Sequence, residues 1–156
     1  RFSGDLSAVA KMTELEQLSL HQTDIGGDIN NLSQLERLKF LDLGLTAVSG
    51  DIAALSSLTA LSELWFEMNA ISGDIASLSP LVDLKVIAMP ETSVSGDIAS
   101  IAQLSALEYV NLYGTGISGD IAVLSELVNL EGLMVGETGV HGNLKLPSGE
   151  VLEIVE

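Results

Sequence analysis

The chain has no cysteine, three prolines and few aromatic residues, and its charge is almost all of one sign. Each shortage excludes something. Without cysteine there is no disulfide framework and no cysteine-held zinc or iron–sulfur site. Aromatics are 4% of residues while hydrophobic residues are 47%, so the core has to be built from aliphatic side chains. Only 6 basic residues stand against 22 acidic ones, a formal net charge of −16. A field of that sign repels phosphate backbones and anionic lipid surfaces, so nucleic acid is not an expected partner. It admits cationic partners, metal cations or a saline environment. No apolar run approaches the ~18 residues of a membrane span, so no membrane insertion is expected. No secretory leader is visible, and the first residue is Arg1, which points to a trimmed product.

What is present is periodic. Gly-Asp pairs begin at Gly4, Gly27, Gly50, Gly73, Gly96 and Gly119, and Gly142-Asn143 continues the series in steps of 23 residues. Apolar residues recur at fixed places in each unit: Ile29, Leu32 and Leu35 in one, Ile52, Leu55 and Leu58 in the next. An L-x-x-L-x-L string follows, as in Leu38, Leu41 and Leu43. Its period of two marks a strand with one buried face, and the steps of three elsewhere suit 3₁₀ turns. A serine recurs at Ser33, Ser56, Ser79 and Ser125, and Ser79-Pro80 reads as a helix N-cap with proline in the first turn. Each unit is therefore expected to run strand, turn, short helical turn, turn. No unit can bury its apolar face alone, so the units must stack.

The motif L-x-x-L-x-L-x-x-T-x-I-x-G-D-I resembles the leucine-rich-repeat family over nearly the whole chain. The S-G-D-I segments, as at Ser49 to Ile52, look like the S-G-x-I segment of plant-type repeats, and the following leucine spacing resembles internalin-like repeats. The proline usual after the isoleucine is absent. Where the family carries asparagine, this chain has Thr23, Thr46, Asn69, Thr92, Thr115 and Thr138. The resemblance implies an α/β solenoid wound as a right-handed superhelix. One parallel concave sheet is expected, with 3₁₀ or short helical turns and loops on the convex side. Residues 1–156 would form a single domain, with units starting near 4, 27, 50, 73, 96 and 119 and a degenerate unit or cap over 142–156. The resemblance also implies a binding habit and a place outside the cell or at its surface.

Strand alternation sends the side chains between the leucines to solvent. Four of the six aromatics (Phe40, Trp65, Tyr109 and Tyr113) fall on that face, where an aliphatic core has no use for them. Clustered exposed aromatics mark a binding surface. Trp65 and Tyr113, on either side of the small Ala88 and Pro90, are expected to wall a shallow trough. Asp42, Glu63, Glu67 and Asn111 would add polar contacts, and an aromatic trough rimmed by acids suits a glycan or a basic peptide. Isolated exposed aromatics also occur on any surface, and that reading stands beside the first.

The aspartate row Asp5, Asp28, Asp51, Asp74, Asp97 and Asp120 has two readings, calcium bridging between units or capping of the turn that follows. Neighbours that are mostly apolar or serine favour capping, so no metal is expected. The threonine row could suggest ice binding, but the family turns this position inward. Asn31-Leu32-Ser33 is an N-glycosylation sequon, which makes Asn31 a candidate acceptor. His21 and His141 lie in distant units, and no phosphate loop or dinucleotide fingerprint is present, because the glycines recur once per repeat for turn geometry. The chain thus reads as a non-catalytic binding scaffold without cofactors. The alternative is a structural subunit that joins head-to-tail into an extracellular filament, because Phe2 and Ser3 begin the chain inside a repeat and Val151 to Val155 has weak strand alternation at the other end.

Overall fold

The computed structural model describes residues 2–154, and Val155 lies outside the described residues. In chain order the strands are β1 (Ser3–Asp5), β2 (Gln17–Ser19), β3 (Asp24–Asp28), β4 (Phe40–Asp42), β5 (Ala47–Asp51), β6 (Glu63–Trp65), β7 (Ala70–Asp74), β8 (Val86–Ala88), β9 (Ser93–Asp97), β10 (Tyr109–Asn111), β11 (Gly116–Asp120), β12 (Gly132–Met134), β13 (Gly139–Lys145) and β14 (Val151–Ile154). The even strands from β2 to β12 form one parallel sheet, each pairing with the next at the same place in its unit, as in Leu41 opposite Leu64 and Leu64 opposite Ile87. This is the concave sheet. Its middle residues Leu18, Leu41, Leu64, Ile87 and Val110 are buried, and the residues on either side of them lie on the solvent face, exposed or half-buried except for the covered Ala88.

A second sheet, in the order β1-β3-β5-β7-β9-β11-β13-β14, runs where the sequence suggested turns. In β5, Val48 is buried between the exposed Ala47 and Ser49, so a short alternation is there, but the Ser-Gly-Asp tail conceals it. That tail is where the strand ends. Gly27, Gly50, Gly73, Gly96 and Gly119 hold φ between +104° and +118°, a conformation open to glycine. Each aspartate then caps a 3₁₀ turn such as Ile52–Leu55. Ser33, Ser56, Ser79 and Ser125 stand at the opposite end of these turns, as C-caps. The N-cap reading of Ser79 fails because Asp74 already takes that place.

The coils share one aliphatic column, in which Leu35, Leu58, Leu81, Leu104 and Leu127 stack one above another. Burying each such leucine contributes about 1.5–3 kcal/mol. One aromatic belongs to this column after all: Phe66 is fully buried, at the position that Leu43, Met89 and Leu112 hold in other coils. The two ends differ. At one, β14 pairs antiparallel with β13, Leu144 facing Leu152, and Leu144 and Leu146 are buried. At the other, Phe2 is 82% and Met12 51% exposed, and Val9, Leu15, Leu20 and Ile25 are half-buried.

Candidate functional site on the concave sheet

The register of β4, β6, β8 and β10 fixes what can meet on the concave face. Trp65 is directly opposite Asp42 on one side and Ala88 on the other, and Ala88 is opposite Asn111. Glu63, Val86 and Tyr109 form the adjoining row. The small Ala88 leaves room for Trp65 to lean diagonally across β8, and its ring stacks on that of Tyr109, with centroids 6.3 Å apart and planes 24° from parallel. The indole N–H donates to Glu63 Oε2 at 3.2 Å, which holds the ring in orientation. Tyr109 in turn donates its hydroxyl to the Met134 sulfur at 3.3 Å.

Rings on this face lie on glycine. A Cβ at Gly132 would stand 2.7 Å from Tyr109 Cδ2, one at Gly136 would stand 3.1 Å from Tyr113 Cδ2, and one at Gly44 would stand 2.8 Å from His21 Nδ1. In each case the ring precedes the glycine by one coil, and Trp65 with Ala88 repeats the arrangement. A missing side chain on the next strand lets the ring lie flat on the sheet instead of standing off it. This pattern was available in the sequence as a ring followed 23 residues later by glycine or alanine.

Beside Trp65 the face sinks into a hollow of about 330 Å³, lined by His21, Asp42, Gly44, Trp65, Phe66, Glu67, Ala88, Pro90 and Asn111. Of the sequence candidates, Asp42, Trp65, Glu67 and Asn111 line it. Glu63 and Tyr109 support it by holding the indole. Phe40 is half-buried in the Gln17–Glu63 row, and Tyr113 lies over Gly136, so Tyr113 does not wall the trough expected for it. His21, Gly44 and Phe66 complete the lining and were not among the candidates. The floor is firm: Leu43 N–H donates to Trp65 O at 2.9 Å, Leu45 N–H to Glu67 O at 2.7 Å and Met68 N–H to Pro90 O at 3.1 Å. Asp42 Oδ1 accepts the Gly44 N–H at 3.0 Å and faces His21 Nδ1 at 3.3 Å. Asn111 does the same for the Tyr113 N–H at 3.1 Å.

No lysine or arginine occupies a solvent-facing position of β2, β4, β6, β8, β10 or β12. The nearest cations sit just before the strands and pair with glutamates one coil away: Arg37 with Glu14, Lys39 with Glu16 at 2.8 Å, and Lys85 with Glu108 at 3.0 Å. The hydrogen bond and charge of Lys39 hold the Glu16 carboxyl below its ordinary pKa, and those of Glu108 hold the Lys85 ammonium above its own.

No family model and no curated protein matches the chain. Solved structures do. The chain is similar to the leucine-rich-repeat ectodomain of the Arabidopsis receptor kinase HAESA, solved with an extended IDA peptide hormone, at 27% identity and a TM-score of 0.82, over 92% of this chain and 25% of that one. The ectodomain of the Arabidopsis thaliana receptor kinase GASSHO1/SCHENGEN3, in complex with Casparian strip integrity factor 2, gives 27% and 0.80 over 91% of this chain and 18% of that one. Internalin C2 of Listeria monocytogenes gives 20% and 0.68 over 88% and 69%, which is a likeness of fold. The chain is a leucine-rich-repeat solenoid. It spans about a quarter or less of the length of those two plant receptor chains.

The remaining candidates lie elsewhere on the solenoid. Asp28, Asp51, Asp74, Asp97 and Asp120 each accept the backbone N–H two residues on at 2.8–2.9 Å, and Asp5 accepts that of Ser7 at 2.8 Å. Among the described residues no three His, Asp or Glu side chains converge on a cation position. Asn31 sits in a 3₁₀ turn and donates its side-chain N–H to the Asp28 carbonyl at 3.0 Å. The threonine row faces inward: Thr46, Thr92 and Thr115 are buried and donate to the carbonyls of Leu43, Met89 and Leu112. His21 follows β2 of the concave sheet, whereas His141 lies in β13 of the other sheet. No helix among the described residues is long and apolar enough to cross a membrane.

Proposed function

We propose that this solenoid is a non-catalytic scaffold, acting outside the cell, whose concave face binds a segment of another protein. The observation that carries the reading is the stacked Trp65–Tyr109 pair on a solvent-facing sheet, pinned by Glu63 and bordered by a hollow of about 330 Å³. Half-buried rings held rigid on a solvent-facing sheet lose little entropy when a partner covers them, which is how aromatic anchors contribute to binding. The plant ectodomains of similar fold, solved with peptide ligands, support a protein partner and an extracellular site. A glycan would also suit a flat aromatic platform, because sugar rings stack on it. The test uses a displayed library of linear peptides panned on the chain and on the Trp65→Ala/Tyr109→Ala variant, with circular dichroism to show that the variant keeps its fold. Peptides that bind the chain and lose at least tenfold in affinity for the variant are expected. Peptides that bind both equally place recognition elsewhere.

A further inference from the structure

We infer that the partner segment inserts an arginine side chain into the hollow beside Trp65, between the Asp42 and Glu67 carboxylates. The inference rests on the binding reading above and supplies the chemistry that it lacks. Three observations converge. The hollow is lined by two carboxylates, Asp42 and Glu67, and by no lysine or arginine. The whole concave sheet lacks those cations at its solvent-facing positions, and the three nearest are neutralised by glutamates of the neighbouring coil. The chain's net charge of −16 adds an attractive field for a cation and a repulsive one for an acid. A cationic group is therefore the complementary occupant of this part of the sheet.

The geometry favours guanidinium over ammonium. Trp65, whose indole is fixed by Glu63 and Tyr109, lines the hollow, so a planar cation seated there has an aromatic neighbour. Asp42 has committed Oδ1 to the Gly44 N–H and to His21, and Glu67, exposed, is a second carboxylate of the lining on the neighbouring coil. A forked donor reaches two separated acceptors at once, whereas an ammonium is a point charge that satisfies one site at a time. A metal ion is a poorer fit, because among the described residues no three His, Asp or Glu side chains converge on a cation position.

The test keeps charge and fold under control. Asp42→Asn preserves the acceptor for Gly44, since Asn111 holds the equivalent place in its own coil and accepts the Tyr113 N–H. The Asp42→Asn/Glu67→Gln variant is compared with Asp83→Asn/Glu126→Gln, which removes the same charge from exposed positions away from the concave strands. Peptides selected from the linear library for dependence on Trp65 and Tyr109 are resynthesised with each arginine replaced by citrulline or by lysine. Binding is read from the fluorescence of Trp65, the chain's single tryptophan.

The expected result is that selected peptides carry arginine, that citrulline weakens them at least tenfold, and that lysine weakens them several-fold. Asp42→Asn/Glu67→Gln should match the citrulline loss, and Asp83→Asn/Glu126→Gln should not. Peptides that need Trp65 and Tyr109 but carry no arginine, or that tolerate citrulline, overturn the inference and leave the binding face standing. Equal losses in the two charge-matched variants reduce the effect to net charge and also overturn it. Failure to select any peptide dependent on the aromatic pair overturns both.

Discussion

Gln22, Leu45, Met68, Glu91, Gly114 and Glu137 all hold φ between +49° and +67°, at the point where each coil leaves the concave sheet. Only one of the six is glycine. A side chain in this left-handed region costs about 1–2 kcal/mol, partly offset by the greater freedom that glycine has in the unfolded chain. Glu137→Gly is therefore expected to stabilise the solenoid by about 0.5–1 kcal/mol, measured by urea unfolding. Gly50→Ala should act the other way. Its φ of +118° lies outside the left-handed basin, and a Cβ there would stand 2.7 Å from Asp28 Oδ1. A loss of about 2–3 kcal/mol is expected in the same assay, and a neutral outcome would mean that the Gly-Asp tail does not have this geometry. The two positions also differ in legibility. The Gly-Asp series announces itself by repetition, whereas a series of Gln, Leu, Met, Glu, Gly and Glu gives no sign of positive φ, because its backbone is dictated by the coil and not by residue type.

At the level of the element, each 3₁₀ turn depends on its aspartate. The turns span only three or four residues, so one capping bond is a large share of what orders them. Asp74→Ala is expected to lose about 1 kcal/mol, while Asp74→Asn, which keeps an acceptor oxygen, should lose a few tenths. Equal losses in urea unfolding would show that charge, not the hydrogen bond to the Ala76 N–H, is what matters. Acid should act in the same direction at Asp5, whose carboxyl is held below its ordinary pKa by the Ser7 hydrogen bond. A folded pKa below the unfolded one contributes stability above the unfolded value that is lost as pH falls through the folded value. The L-x-L strands and these capped turns could be read from spacing. The second sheet could not, since its strands β5, β7, β9 and β11 each offer one buried side chain before a glycine, too short an alternation to distinguish from a turn. The same brevity misassigned Ser79: with the 3₁₀ turn compressed to Ile75–Leu78, serine and proline fall after it instead of opening it. At the site, the candidate residues were legible as solvent-facing strand positions, but their partners were not. Trp65 meets Tyr109 across an intervening strand because Ala88 is small, a diagonal that register alone does not reveal.

For the molecule as a whole, stability is the sum of coil-to-coil interfaces working against a net charge of −16. The aspartate row lies along one line of the solenoid, with one carboxylate per coil, and that repulsion is the argument for cations in the row. The hydrogen bonds argue otherwise, since every carboxylate in the row already accepts a backbone N–H and, among the described residues, no three His, Asp or Glu side chains converge on a cation position. The alternatives separate in thermal melts. Raising sodium chloride from about 0.1 M to about 1 M shortens the Debye length from ~10 Å to ~3 Å, and the melting temperature should climb as self-repulsion is screened. Calcium and magnesium at equal concentration should raise it equally, because a screened field does not distinguish ions of one charge. A calcium-specific excess of several degrees would turn the caps into ligands. It would require a second source of oxygen near Asp51 and Asp74, and mutating either residue to asparagine would then abolish the excess while leaving the response to sodium intact.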